Sequence, residues 1–555
     1  MKKNDLTEQS SQSHWLQKIF IWFDSNIFSL GREMRLSYLP PLMVYVAAGV
    51  SGLTGIVGTF YVKEKLGLSP EFLAMLGFWM MLPWALKMPL GHLVDLIWRW
   101  KSILVYLGAS LIMLSLLIMV GLLGYTEAMA AKASVETWYV LSALLAPIGY
   151  VLQDVVADAM TVEAVPRVDE NGEKLSLEKR KLMHVTMQML GRVAIIGGGL
   201  LVSIVNVYLL RDAEAMSGSE KDAVYLLVYQ LALVIPMISI LGVILASWLN
   251  YREYKRLHSL GHDHHEINTM LNAHSETPSV NWWILGGGLA FTILSIAVGL
   301  TRIPAGEEIV FVVSMTIVIF LMWRLTQELE PEARNVLVGT AMMIFVFRAI
   351  PGPGAGSTWW MIDELNFDQQ FLAVLSLVGA ILTLFGMFIF RRFMAERSIA
   401  YIIAFLTIVG TFLSLPILGM YFGLHEWTAS VTGGVVDARF IALIDTALES
   451  PLGQIAMIPM LAWIANSAPE KLKATFFAVM ASFTNLALSA SQLGTKYLNQ
   501  IFNVKREVKD NLTDQITVPA DYSELGQLLI STTIIGFVLP LITILIIKHS
   551  RFQNA

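Results

Sequence analysis

The stretch SILVYLGASLIMLSLLIMVGLLG at residues 102–124 carries no charged side chain. As a helix rising 1.5 Å per residue it is long enough to cross the roughly 30 Å hydrocarbon core of a bilayer. Runs of this kind recur along the chain. A segment in hydrocarbon must bond its own backbone, so this recurrence restricts the chain to a bundle of transmembrane helices. Only 15% of the 555 residues are charged and 55% are hydrophobic, whereas soluble domains carry about 25% charged residues. A net charge of -5 offers no basic surface for nucleic acid, and a cysteine count of 0 excludes disulfides and thiolate metal sites. The N-terminus shows no basic, apolar and small-residue pattern and reads as uncleaved, with an amphipathic interfacial stretch near 15–30.

The hydropathy ruler places about fourteen spans near 37–62, 71–97, 102–124, 136–163, 181–209, 224–250, 281–300, 307–325, 333–351, 368–390, 398–423, 436–465, 472–500 and 526–548. An even count puts both termini on one side. That side holds most of the lysines and arginines in its loops, which predicts cytoplasmic termini and a multi-pass protein of the cell membrane. The loop 251–280 contains His258, His262, His264, His265 and His274 without a fixed ligand spacing, and it reads as solvated linker; no metal or other cofactor is expected.

The chain also repeats itself. FYVKEKLGLSPEFLA at 60–74 aligns with WMIDELNFDQQFLA at 360–373, pairing Leu66 with Leu365, Phe72 with Phe371, Leu73 with Leu372 and Ala74 with Ala373 at one offset. Each copy joins two spans that enter in the same direction, so the repeat is parallel and relates two bundles about an axis along the membrane normal. The expected organisation is a segment 1–36, a six-helix bundle 37–250, the loop 251–280, an inserted hairpin 281–332, a second six-helix bundle 333–548 and a tail 549–555. This is an all-α polytopic membrane protein of the major facilitator layout.

Particular motifs carry a family resemblance. Gly91, Asp95, Arg99 and Lys101 resemble the loop between the second and third spans of major facilitator transporters, although Leu96 and Trp98 stand where that motif prefers Arg and Gly. The stretch YVKEKLGLSPEFLAMLGFWMMLPWALKMPLGHLVD, with QDVVADAMTVEA at 153–164, FRAIPGPGAGSTWWMIDELNF at 347–367 and residues 437–487, resembles the folate-biopterin transporter family within that superfamily. The likeness covers most of both bundles and fails over 251–330. Pro89 stands one place later than in the family's Lys-Pro pair, and the hairpin is an addition to the usual pattern. The resemblance implies transport of a folate or pterin.

Ionisable residues at membrane depth are costly toward lipid, so each should face the bundle interior. Lys87, Asp154 and Arg192 each lie about a dozen residues from a cytoplasmic span end, close to the midplane. Arg348 and Asp445 fall in the central or outer part of the second half. Two readings stay open: Asp154 and Arg192 form a structural ion pair, or Lys87, Arg192 and Arg348 line a cavity that holds a small anionic substrate. Asp154 and Asp158 share a helical face at a four-residue spacing, which suits proton coupling. Alternatively Asp158 joins Asp95, Arg99 and Lys101, with Glu163 nearby, in a gate. Asp445 and Glu449 repeat the spacing, and Gln454 lies close to the position opposite Gln153. The aromatic pairs Trp282–Trp283 and Trp359–Trp360 read as interfacial anchors.

No Gly-x-x-x-x-Gly-Lys-Ser/Thr loop occurs, which argues against a nucleotide-driven pump, and the spans hold no nucleophile or metal constellation of an enzyme. A secondary carrier is the expected function, with a facilitator, channel-like protein or receptor on a carrier fold as the alternative.

Overall fold

The computed structural model describes residues 24 and 29–552, apart from 67, 167, 169–174, 214, 265, 268–279, 302, 328, 454, 456–472 and 510–515. The first half and the hairpin comprise α1 (Leu36–Lys65), α2 (Pro70–Leu96), α3 (Ser102–Gly124), α4 (Val135–Ala164), α5 (Glu178–Leu209), α6 (Gly218–Ser259), α7 (Trp282–Thr301) and α8 (Gly306–Arg324). There follow α9 (Pro331–Arg348), α10 (Ala355–Asp363), α11 (Gln369–Ile389), α12 (Ile399–Tyr421), α13 (Leu424–Thr432), α14 (Ala438–Glu449), α15 (Lys473–Ile501) and α16 (Leu525–Lys548). Strands Val508–Lys509 and Ile516–Val518 form a small antiparallel ribbon between α15 and α16.

Among the described residues eleven helices are long and apolar enough to span a bilayer. The other three expected spans fall at α9, α14 and α15. Helix α14 has only 12 residues and α9 carries Glu332, Arg334 and Arg348; the second part of the span expected at 436–465 lies largely outside the described residues, as does Gln454.

The repeat is visible in local geometry. Ser69 caps α2 by accepting a hydrogen bond from the Phe72 amide at 3.1 Å, and Asp368 caps α11 by accepting from the Phe371 amide at 2.7 Å, at equivalent positions of the two copies. The offset that carries Leu66 onto Leu365 also carries the three-ten turn Ser51–Thr54 of α1 onto residues 350–353. There the second copy does not merely tighten: the sequence PGPG at 351–354 separates α9 from α10, since proline removes amide donors and Gly354 adopts φ +77°.

Within the first half, α1 and α5 touch backbone to backbone. A Cβ on Gly49 would lie 2.1 Å from the Ile195 carbonyl oxygen, and one on Gly198 would lie 2.8 Å from that of Val46. Gly197 and Gly199 have open space around them, so only the middle glycine of that triplet serves this contact.

The halves meet along α2 with α15 and α5 with α11. At the end remote from the termini they share one apolar core, in which Phe60, Tyr61 and Leu66 meet Trp359, Phe367 and Leu525. Polar links reinforce it: Lys63 pairs with Asp363, Gln369 donates to the Tyr225 hydroxyl at 2.8 Å, and Gln500 donates to Glu71 at 2.6 Å. The Tyr522 hydroxyl donates to Asp363 at 2.5 Å. Burial first, and then this bond, raises the Tyr522 hydroxyl well above its usual range, so it remains a donor throughout the physiological pH range. Trp359 and Trp360 belong to this closed end, at 1% and 5% exposure, and their reading as interfacial anchors is thereby corrected. The Trp360 ring lies 5.7 Å from that of Tyr421, and the Arg506 guanidinium lies 5.7 Å over Trp359. Trp282 and Trp283 are exposed, at 75% and 54%.

The hairpin of α7 and α8 lies along the α2–α15 seam. Gly288 admits Pro89, whose Cβ would be 2.4 Å from a Cβ on that glycine, and Gly299 lies against Trp79. Glu307 accepts from Trp79 Nε1 at 3.1 Å and from Lys496 at 3.2 Å, while Glu308 accepts from Lys496 at 2.8 Å and from the Tyr497 hydroxyl at 2.6 Å. The hairpin thus clasps both halves at the closed end. Lys496→Met leaves two little-exposed carboxylates without their cation and should destabilise the protein by about 3 kcal/mol. A thermal melt of purified protein will show a clear fall, and Lys496→Arg will recover most of it.

Candidate functional site

Lys87 owes its position to a break in α2. The helix runs regularly to Met81, tightens to a three-ten turn over Leu82–Leu86, and resumes as α-helix at Lys87. Pro83 and Pro89 explain the break, because neither offers an amide hydrogen and each ring crowds the carbonyl one turn earlier. The Trp84 carbonyl therefore accepts from the Lys87 amide, three residues on, and also from Asn485 Nδ2 of α15 at 3.3 Å. The Met88 amide donates to Ser482 Oγ of α15 at 3.0 Å. A side chain pair from the second half thus completes the backbone on either side of Lys87.

From there the lysine reaches α4. Its Nζ lies 2.6 Å from Asp154 Oδ2 and 2.8 Å from Asp158 Oδ2. The four-residue spacing of the aspartates places both on the face of α4 that meets α2. Tyr45 of α1 donates to the other oxygen of Asp158 at 2.7 Å. Gly191 of α5 makes room for the Tyr45 ring, since a Cβ there would be 2.9 Å from it. The next residue, Arg192, acts electrostatically on both Asp154 and Tyr45. Four helices of the first half thus converge on one charged cluster. With every group ionised, Lys87, Asp154 and Asp158 together carry one negative charge, and Arg192 balances it.

The remaining sequence-predicted residues fall elsewhere. Glu163 pairs with Lys101 at 2.6 Å, and Lys101 also lies 4.4 Å over the Trp98 ring. Arg99 is exposed in the adjoining turn, and Asp95 acts on His92, whose Nε2 accepts from the Asn281 amide at the start of the hairpin. Asp158 is joined to Lys87 rather than to Lys101, whose carboxylate partner is Glu163. In the second half Arg348 ends α9 just before the PGPG break. Asp445 is 6% exposed, its Oδ1 has no hydrogen-bond partner among the described residues, and Glu449 acts on it from one turn away. Gln454 lies outside the described residues.

Sequence reasoning missed Tyr45, Ser482 and Asn485. Tyr45 is a lone tyrosine in an apolar run and leaves no signal. The α15 residues do leave one: Ser482, Asn485, Ser489, Gln492, Lys496 and Asn499 recur at alternating intervals of three and four, a polar stripe along one helix face.

A part-buried charged cluster inside a two-bundle helical membrane fold is the architecture of the major facilitator type. Solved structures agree on the fold: a POT family transporter in complex with a thioalcohol-conjugated peptide superposes with a TM-score of 0.59 at 11% identity, covering 94% of this chain and 96% of that one. A POT family transporter in complex with 5-aminolevulinic acid gives 0.59 at 12% identity, covering 94% and 96%. Residues 48–554 match the BT1 family, and the chain belongs to it. It is similar to a folate-biopterin transporter of Synechocystis sp., 23% identical over 460 residues that cover 82% of this chain and 74% of the relative. It is also similar to a putative folate transporter of Plasmodium berghei, 26% identical over 188 residues covering 32% and 38%. The family is one of transporters rather than enzymes.

The cluster makes a stability prediction. Lys87→Met strands Asp154, whose side chain is 20% exposed, and should cost about 3 kcal/mol. Adding Asp154→Asn should recover a substantial part of the lost melting temperature. Asp445→Asn removes a buried charge that lacks a hydrogen-bond donor at Oδ1, and it should melt no lower than the parent.

Proposed function

We propose that this chain is a secondary active transporter working by alternating access, and that it carries a small organic anion of the folate or pterin class with protons across the cell membrane. The observation that carries this reading is the part-buried cluster of Lys87 with Asp154 and Asp158. A substrate carboxylate entering beside Lys87 displaces one aspartate. The displaced charge sits in a poorly hydrated interior, where taking up a proton removes its cost. Anion and proton then enter together, and the net charge of the cluster is preserved. Arg192 and Arg348 supply further positive charge for a dianion, with Asp445 and Gln454 contributing polar contacts from the second half. Asp95, Arg99 and Glu163 serve the gate on the terminal side. Similarity to a folate-biopterin transporter and a putative folate transporter favours folate and biopterin over the conjugated peptide and the 5-aminolevulinic acid bound by the structural neighbours.

The topology that goes with this reading has fourteen crossings, cytoplasmic termini, and two six-helix halves separated by the loop 251–280 and the hairpin 281–332. The closed end then faces outward. Reporter fusions after Arg211 should score as external and those after Arg256 as cytoplasmic; the reverse pattern inverts the orientation.

Transport is tested with labelled folate and labelled biopterin in proteoliposomes. Uptake rises as external pH falls and accumulation collapses with a protonophore. Asp154→Asn retains exchange of labelled for unlabelled substrate while losing accumulation against a gradient. Uptake indifferent to pH and protonophore removes proton coupling, and absence of exchange removes the carrier reading in favour of a channel or a receptor.

A further inference from the structure

The side chains that complete the broken backbone around Lys87 come from the opposite half of the molecule. In a regular α-helix the Trp84 carbonyl and the Met88 amide, four residues apart, bond to each other. In α2 the Trp84 carbonyl instead accepts from the Lys87 amide, three residues on, and from Asn485 at 3.3 Å, while the Met88 amide donates to Ser482 at 3.0 Å. Ser482 is fully buried, so no water substitutes for its hydroxyl from outside. The contact belongs to a longer match. Proceeding along α15, Ser482 meets Met88, Asn485 meets Trp84, Gln492 lies against Gly77 and Gln500 reaches Glu71. The two helices therefore run antiparallel in constant register, and Ser482, Asn485 and Gln492 of the α15 stripe face α2. At Gly77 a Cβ would come 2.6 Å from Gln492 Oε1, so the register leaves no room to slide there.

We propose that Ser482 and Asn485 are positioning residues for Lys87: they hold the helix break that aims its ammonium at Asp154 and Asp158, and so make the charge cluster of the first half sensitive to where the second half stands. This inference rests on the reading of Lys87 as the functional cation. Lys87 lies between the two held backbone groups, one residue before Met88 and three after Trp84. When the halves rock, these bonds must stretch or break. The Trp84 carbonyl and Met88 amide are then free to bond each other, and α2 regains a regular turn. Regularising that turn rotates Lys87 about the helix axis, away from its two carboxylates.

The test reads Lys87 directly, without a transport substrate. The purified full-length protein is treated with formaldehyde and cyanoborohydride, and methylation of Lys87 is quantified by peptide mass spectrometry, with exposed Lys132 as the internal reference. An ammonium held by two carboxylates is a poor nucleophile and reacts slowly. In the Ser482→Ala/Asn485→Leu variant the rate at Lys87 should rise about three- to tenfold, the range expected for losing one to two hydrogen bonds of ordinary net strength. Ser482→Thr keeps the hydroxyl and should return the rate to the parental value. Asp154→Asn separates the two ideas. It releases Lys87 directly, so an unchanged rate in that variant overturns the cluster itself. A raised rate in Asp154→Asn together with a parental rate in the Ser482/Asn485 variant overturns the positioning role and leaves the cluster standing. If the double variant fails to fold, Ser482→Ala and Asn485→Ala singly are judged by the same criterion, each with a smaller expected rise.

Discussion

Backbone groups inside a membrane cannot turn to water, and this constraint governs the architecture more than any single ion pair. Among the described residues α15 repairs two helix breaks, one in α2 and one between α9 and α10. On one side Ser482 accepts from the Met88 amide of α2, and Asn485 gives the Trp84 carbonyl a second bond beside that from the Lys87 amide. On the other, Ser491 donates to the Ile350 carbonyl at 2.7 Å, Thr495 accepts from the Gly352 amide at 3.0 Å, and Asn499 donates to the Pro353 carbonyl at 3.2 Å. Each break adjoins a cation, Lys87 in the first half and Arg348 in the second. A helix break frees polar backbone and turns a neighbouring side chain off the regular helical path, which is how a membrane protein builds a polar site from mostly apolar segments.

The same constraint explains what the sequence made legible. The fold class, the family and the parallel repeat rest on apolar runs and on matched loop residues such as Leu66 and Leu365, signals that survive in a linear string. Lys87 and Asp154 were recognisable because an ionisable group in an apolar run has few tolerable surroundings. Their direct pairing was not, since equal depth on two helices leaves the azimuth of each helix undetermined. Depth put Lys87, Asp154 and Arg192 at one level without pairing them, and it left Asp158 open between proton coupling with Asp154 and the gate. The rotation of α4 about its own axis instead presents both aspartates to Lys87.

Other features were hidden for a different reason. Trp359 and Trp360 look like interfacial anchors because they lie at a span end, yet the PGPG break displaces α10 and turns them into the core shared by both halves. Conversely α15 was scored only for length and hydropathy, although its polar stripe was present in the letters. The stripe lowers its apolar character below that of a lipid-facing helix for a physical reason: both of its sides face protein backbone rather than lipid.

The hairpin has a consequence for the surroundings of the protein. Its inner face covers the seam of α2 and α15, while Leu289, Ile293, Ile296 and Leu300 point outward from α7. Lipid chains bordering that flank therefore meet the hairpin instead of the joint between the two halves. On this flank bilayer thickness and chain order act on the molecule through the tilt of α7 and α8, and the hairpin transmits lateral pressure to both halves at once.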